Sequence, residues 1–118
     1  AVGTPNMGVH LDCFHMSHEE SNWTNPVFTC GKQWLGYVHV NENQRGIPGT
    51  GMVNFHAFFN ALEDIDYEGH CVIESFDPNF EELSRNCAIW RRFAPTSEEL
   101  AVKGLANLRR IADEGFSA

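Results

Sequence analysis

The sequence has few basic residues: 8 lysines and arginines stand against 16 aspartates and glutamates, a formal net charge of −8 at pH 7. A nucleic-acid surface needs a basic patch to meet the phosphate backbone, so this balance argues against DNA or RNA binding. The chain also lacks an apolar run of membrane-spanning length and a signal-peptide pattern. We therefore expect neither nucleic acid nor a membrane among its partners.

The four cysteines form neither a CxxC motif nor a tight cluster. They are Cys13, Cys30, Cys71 and Cys87. Two of them fall inside predicted strands, where a free cysteine behaves as a small hydrophobic residue. We expect all four to be reduced, which is typical of a cytoplasmic protein.

The chain has 118 residues, which suffices for one domain or part of one. Its hydrophobic content of 42% and its three tryptophans indicate a folded globular chain. It does not begin with methionine, and its first predicted strand starts within a few residues. From this we expect the back part of a longer protein, or one piece of an assembly.

The most informative stretch is Gly36–Gly51, which reads GYVHVNENQRGIPGTG. Its β-branched and aromatic start, Gly36–Val40, predicts a strand, and a polar and then glycine-rich loop follows. An amphipathic helix is predicted after Asn54. Its apolar face consists of Phe55, Phe58, Phe59, Leu62 and Ile65. We interpret the phenylalanines as core packing and not as the wall of a substrate site.

Two more strands are predicted, Val9–Phe14 before this stretch and Cys71–Glu74 after it. Between the first two strands, Asn25-Pro26 predicts a helix start, with Asn25 as the N-cap and Pro26 at the first helical position. The pattern is therefore three βα units, whose consecutive strands are parallel and whose crossovers are right-handed. Three such units make a sector of a barrel or an open sheet.

Two helices are predicted after the third strand. Leu83–Phe93 forms the first of them, with Ile89, Trp90 and Phe93 as its packing residues. Thr96 or Ser97 caps the last helix, whose first turn carries acidic residues. We assign no chemistry to this last helix.

Three polar residues lie near the ends of the three strands: Asp12, His39 and Glu74. Charged groups in apolar strands are costly unless they are paired or bind a metal. Together they would supply a mixed oxygen and nitrogen ligand set that fits Mn²⁺, Co²⁺ or Mg²⁺, with Zn²⁺ as an alternative. The plainer alternative is that each is a strand-end residue hydrogen-bonded to loop backbone.

Three further residues belong to the candidate site or its surroundings. His15 lies three residues after Asp12, where it could touch a ligand held by the metal, or it could be a solvated loop histidine. Arg45 offers a planar fork of donors to a polyol or carboxylate, or it could be a surface arginine paired with Glu42. His10 we expect to face the helices.

The motifs in this order and spacing resemble the ketose 3-epimerases. They are LDCFHM at 11–16, HVNENQRGIPGTG at 39–51 and VIESF at 72–76. The resemblance is to the D-tagatose and D-psicose (allulose) 3-epimerases of the xylose-isomerase-like TIM-barrel superfamily, from about Gly8 through Phe76. It implies an α/β fold, a partial (β/α)8 TIM barrel of about three consecutive βα units plus C-terminal helices. Residues 1–118 would form a single C-terminal segment of that barrel.

The resemblance also implies roles for individual residues. Asp12 and His39 match metal ligands, and Glu74 matches a glutamate that binds the metal and acts as catalytic acid and base. His15 and Arg45 match residues that hydrogen-bond substrate hydroxyls. In these enzymes a divalent cation, usually Mn²⁺ or Co²⁺, chelates a ketose, and C3 is inverted through a cis-enediolate.

One departure from the pattern limits what this chain can do. The second catalytic glutamate of these enzymes, also the fourth metal ligand, belongs to a strand that would precede this chain. We therefore expect a lone copy to bind metal weakly, to be a very poor epimerase, and to form a homo-oligomer or associate with the missing barrel part. The alternatives are another sugar isomerase, such as a hydroxypyruvate isomerase, and a non-catalytic assembly module.

Overall fold

The computed structural model of this protein describes residues 3–115. Its elements in chain order are β1 (Val9–Asp12), α1 (Cys13–Glu19), α2 (Asn25–Trp34), β2 (Leu35–His39), α3 (Phe55–Asp64), β3 (Cys71–Val72), α4 (Glu81–Asn86) and α5 (Ser97–Gly115). The strands form one three-stranded sheet in the order β1-β2-β3, and both pairings are parallel. The predicted α/β arrangement of three βα units followed by C-terminal helices is confirmed.

The core lies between one face of the sheet and the helices α2, α3 and α5. On β2 and just beyond it, Val38 and Val40 point into this core and are almost fully buried. Their neighbour His39 lies on the opposite face, because successive side chains of a strand alternate. Phe55 and Phe58 of α3 are also buried in the core, which confirms their predicted packing role.

The first strand is shorter than predicted. Residues 13 and 14 were expected in the strand, but β1 ends at Asp12 and α1 begins at Cys13. Asp12 caps the new helix, since its Oδ1 accepts a hydrogen bond from the His15 backbone N–H at 3.1 Å. The chain therefore turns away from the sheet directly after Asp12.

The second helix begins at Asn25, one residue before the predicted first helical position, and Asn25 does not cap it. The side-chain oxygen of Asn22 instead accepts the backbone N–H groups of Thr24 and Asn25, at 3.0 and 2.8 Å. Gly31 interrupts the helix with a φ of 61°, a conformation that glycine adopts without steric cost. The resulting kink lets the chain enter β2 at once.

The region after β3 departs most from expectation. Only Cys71 and Val72 of the predicted third strand pair with β2, and α4 spans Glu81–Asn86 in place of Leu83–Phe93. Ala88, with a φ of 54°, ends α4, and the Ile89 N–H bonds back to the Ser84 carbonyl. Trp90 is 79% exposed, so its predicted packing role is wrong.

Helices α3 and α5 begin as predicted. The Asn54 side chain accepts the Ala57 N–H at 3.0 Å and caps α3. Thr96 Oγ1 accepts the Glu99 N–H at 3.1 Å at the start of α5. Among residues 3–115, none of the helices is both long and apolar enough to cross a membrane.

Helix α5 packs directly on the loop that follows β2. A Cβ atom added to Gly104 would lie 2.7 Å from Cδ of Pro48, and the Asn107 side-chain amide donates to the Pro48 carbonyl at 2.9 Å. Gly104 is therefore placed where the helix and the loop approach most closely. This contact fixes the loop against the helical layer.

We predict that Gly104→Ala destabilises the protein, although alanine is the better helix former by about 1 kcal/mol. Overpacking against Pro48 costs about 1–3 kcal/mol, so we expect a net loss of about 1 kcal/mol in urea unfolding. The reverse change at an exposed position of the same helix, Ala101→Gly, isolates the propensity effect. A Gly104→Ala variant more stable than the parent would contradict this packing.

Candidate active site and metal centre

The sheet register brings the three predicted ligands together. Asp12 pairs with His39 across β1 and β2, and His39 pairs with Val72, so Glu74 lies one strand repeat beyond on the same face. One ligand atom from each of Asp12, His39 and Glu74 lies within 4.8 Å of the others. The expectation that they converge at one edge of the sheet is confirmed, whereas ligation itself stays a prediction.

The spacing of these atoms fits a shared cation. His39 Nδ1 lies 3.0 Å from Asp12 Oδ2 and 3.9 Å from Glu74 Oε2. Two ligands about 2.1 Å from one ion lie about 3 to 4 Å apart, which is the separation observed. Two carboxylate oxygens with one imidazole nitrogen also make a donor set suited to Mn²⁺, Co²⁺, Mg²⁺ or Zn²⁺.

The Asp12 carboxyl is held in its charged form. Burial raises the pKa of Asp12, but hydrogen bonds from the His15 backbone N–H, the His39 ring and the Asn41 side chain outweigh burial. The pKa of Asp12 therefore lies below its ordinary value of 3.8. At neutral pH this residue presents an anionic oxygen to the cluster.

Asn41 belongs to the same cluster, although sequence reasoning missed it. Its side-chain Nδ2 donates to Asp12 Oδ2 at 3.1 Å and to Glu74 Oε2 at 3.2 Å. The signal available in the sequence was its position two residues after His39, which predicts the same face of the sheet. Because asparagine is neutral, its residue type alone did not indicate that Asn41 contacts the carboxyl groups of Asp12 and Glu74.

Arg45 is a buried part of the cluster and not a surface residue. It is 9% exposed, and its Nη1 donates to Glu74 Oε2 at 2.5 Å. Its guanidinium carbon lies 3.7 Å from the centre of the Phe14 ring and 4.8 Å from that of Phe76. The alternative of an exposed pair with Glu42 is therefore wrong. The substrate-binding role of Arg45 stays a prediction.

Glu42 instead anchors the loop that carries Arg45. Its side chain is fully buried, and its oxygens accept backbone N–H groups from Asn43, Gly49 and Val53 at 3.2, 3.1 and 3.4 Å. Three backbone donors stabilise a buried carboxylate that would otherwise be costly. One side chain thus joins the start, the middle and the end of the loop.

A cavity of about 390 Å³ opens beside the cluster. Its size falls in the range of small-molecule sites, about 300–1,000 Å³. It is lined by His10, Leu11, Asp12, His15, Met16, Glu19, Glu20, His39 and Glu74. His15 therefore lies on the cavity wall, and its role toward a substrate stays a prediction.

His10 was expected to face the helices, and this is wrong. It lines the cavity, and its ring stands edge-on to that of His39, with 4.2 Å between ring centres. The pairing of β1 with β2 is irregular between Val9 and His10, directly before this residue. His10 therefore packs directly beside a candidate metal ligand.

A larger cavity, of about 530 Å³, lies on the helical side of the sheet. Its lining includes the apolar residues Phe59 of α3, Ile73 just after β3 and Leu108 of α5. The Asp12, His39 and Glu74 cluster lies on the other face. We therefore locate the candidate chemistry in the smaller cavity.

Comparison with known proteins identifies a family profile that covers most of the chain. The profile of the xylose isomerase-like TIM barrel matches residues 1–111. A ketose 3-epimerase from Arthrobacter globiformis is 43% identical over 110 residues, which span 92% of this chain and 38% of that protein. An L-ribulose 3-epimerase from Methylomonas sp. (strain DH-1) is 40% identical over 111 residues, again 92% of this chain and 38% of that protein.

Solved structures agree with these sequence matches. The D-allulose 3-epimerase from Methylomonas sp., crystallised in complex with D-allulose, superposes with a TM-score of 0.79 at 41% identity. The match covers 90% of this chain and 37% of that one. This chain thus spans less than half the length of the proteins it resembles.

We predict that Glu42→Gln loosens the loop after β2. The amide NH₂ of glutamine cannot accept, so at least one of the Asn43, Gly49 and Val53 N–H groups loses its partner, at a cost of about 1–3 kcal/mol. Hydrogen exchange of the Gly49 and Val53 amides should accelerate. Glu68→Gln, at an exposed position, is the matched control and should leave both amides unchanged. Unaltered exchange in Glu42→Gln would contradict the anchoring role.

Proposed function

This chain belongs to the xylose isomerase-like TIM barrel family, and from that premise we propose that it is the C-terminal part of a metal-dependent ketose 3-epimerase. Such an enzyme inverts C3 of a ketose through a cis-enediolate. The similarity to named ketose and L-ribulose 3-epimerases supports the reaction class. The observation that carries the proposal is the convergence of Asp12, His39 and Glu74 beside a cavity of sugar-binding size.

Asp12, His39 and Glu74 would hold the cation, with Mn²⁺ or Co²⁺ as the proposed identity. A divalent cation bound there supplies Lewis-acid stabilisation of the negative charge that develops on the substrate oxygens. The His15 backbone N–H and the Asn41 side chain donate to Asp12 and favour its charged form. His39 Nδ1 lies 3.0 Å from Asp12 Oδ2, and on ligating the cation it would give up that hydrogen bond.

Glu74 is the proposed acid and base of this chain. Its side chain is 35% exposed toward the cavity, so the carboxylate can reach a substrate proton. Arg45 and Asn41 both donate to Glu74 Oε2, which fixes the direction of the carboxylate. A positioned carboxylate of this kind contributes about 10²–10⁴-fold in rate as a general acid or base.

Arg45 and His15 are the proposed contacts to substrate hydroxyls. His15 is exposed on the wall of the cavity. Within the described part of the chain the Nε of Arg45 is buried and has no hydrogen-bond partner, and Arg45 lines another cavity, of about 320 Å³. Arg45 orients Glu74 through its Nη1, and its proposed contact to a substrate hydroxyl rests on the family resemblance.

The sheet also supports the proposal that this segment completes a larger barrel. Among residues 3–115, β1 and β3 pair with β2 alone, so each leaves one edge of backbone groups unpaired. Such edges favour association with further strands, either from the rest of the barrel or from a second copy.

The four free cysteines support a cytoplasmic location, because that compartment keeps thiols reduced.

The test is epimerisation in D₂O by the natural protein that carries this chain, supplied with Mn²⁺ and a ketohexose. We expect the C3-epimer to form with one deuterium at C3, measured by chromatography and mass spectrometry. Glu74→Gln should lower the rate by about 10²–10⁴-fold. Glu82→Gln is the matched control and should keep the parent rate, since Glu82 is exposed on α4 and does not line this cavity.

Each alternative gives a different result. Turnover of hydroxypyruvate without C3 exchange in a ketose would favour another isomerase of the family. No turnover of either substrate in the presence of Mn²⁺ would favour a non-catalytic module. Full activity in Glu74→Gln would contradict the role given to Glu74.

A further inference from the structure

Asn41 connects the ends of all three strands. It lies just beyond β2, the central strand, and is 1% exposed. Its neighbours on either side are Asp12 at the end of β1 and Glu74 beyond β3. The Asn41 Nδ2 donates one hydrogen bond to each of them, at 3.1 and 3.2 Å.

The orientation of the Asn41 amide follows from its partners. Its Oδ1 accepts the backbone N–H of Phe14 at 3.2 Å, a group that can only donate. Oδ1 therefore faces the Phe14 N–H, and Nδ2 faces the carboxyl oxygens of Asp12 and Glu74. Both N–H groups and the oxygen of the amide are therefore hydrogen-bonded. Because Asn41 is buried, its side chain cannot turn into solvent instead.

We propose that Asn41 is a positioning residue that holds the Asp12 and Glu74 carboxylates at the separation a shared cation requires. Two anionic groups this close repel each other, and a neutral donor between them offsets the repulsion without neutralising either charge. Arg45 cannot replace it, because its hydrogen bond goes to Glu74 and not to Asp12. The inference rests on the metal-dependent function proposed above.

The main test is Mn²⁺ binding to Asn41→Ala in the natural protein that carries this chain. Loss of a partner that orients metal ligands weakens affinity by about 10–100-fold, and we expect that loss by calorimetry. The control is Asn54→Ala, which removes the α3 cap away from the site. Asn54→Ala should bind Mn²⁺ like the parent protein.

A second readout separates positioning from mere support of the fold. At saturating Mn²⁺, the electron paramagnetic resonance spectrum of Asn41→Ala should differ from that of the parent, because the ligand arrangement has changed. Asn54→Ala should reproduce the parent spectrum. Unchanged affinity and an unchanged spectrum in Asn41→Ala would overturn the inference.

The inference can also be tested without metal. In crystal structures of the metal-free proteins, Asp12 Oδ2 and Glu74 Oε2 should lie farther apart in Asn41→Ala than in the parent. If the parent binds no Mn²⁺, the proposed function fails, and this comparison still decides the role of Asn41. Identical carboxylate positions in both proteins would overturn it.

Discussion

The parallel register of the three strands is the constraint on which the candidate site depends. Because Asp12 and His39 are direct partners and Glu74 follows the partner of His39 by one strand repeat, their side chains reach the same edge of the same face. A shift of one residue in either pairing would send one of them into the core. The buried Val38 of β2 and Val40 just beyond it oppose such a shift, since they would then face the open side of the sheet.

The site also requires that the charges of its two carboxylates be compensated. Asp12 and Glu74 carry negative charge in a partly buried setting, which is costly unless donors or a cation balance it. The chain supplies the His39 ring, the Asn41 amide and the Arg45 guanidinium as donors. Arg45 in turn depends on the loop that Glu42 joins together through backbone hydrogen bonds. The buried loop is therefore part of the site, and its polar residues are structural as well as chemical.

Much of this could be predicted from local sequence. Asn54 followed by regularly spaced phenylalanines predicts a capped, core-facing helix, and the structure has one. The start of α1 had a local signal too, since an aspartate can cap a helix and Asp12 accepts the N–H of His15, three residues on. Other features depend on contacts between residues distant in the sequence. The role of Asn41 comes from partners far along the chain, whereas Glu42 is bound by backbone groups of its own loop. Helix α4 ends at Asn86, so Trp90 lies outside the helix in which it was predicted to pack.

The central claim is that Asp12, His39 and Glu74 share one divalent cation. The most direct measurement is anomalous diffraction at the manganese edge from crystals of the natural protein grown with Mn²⁺. We expect a single strong peak about 2.0–2.3 Å from Asp12, His39 and Glu74. No peak among these three residues, or a peak that one of them does not contact, would contradict it.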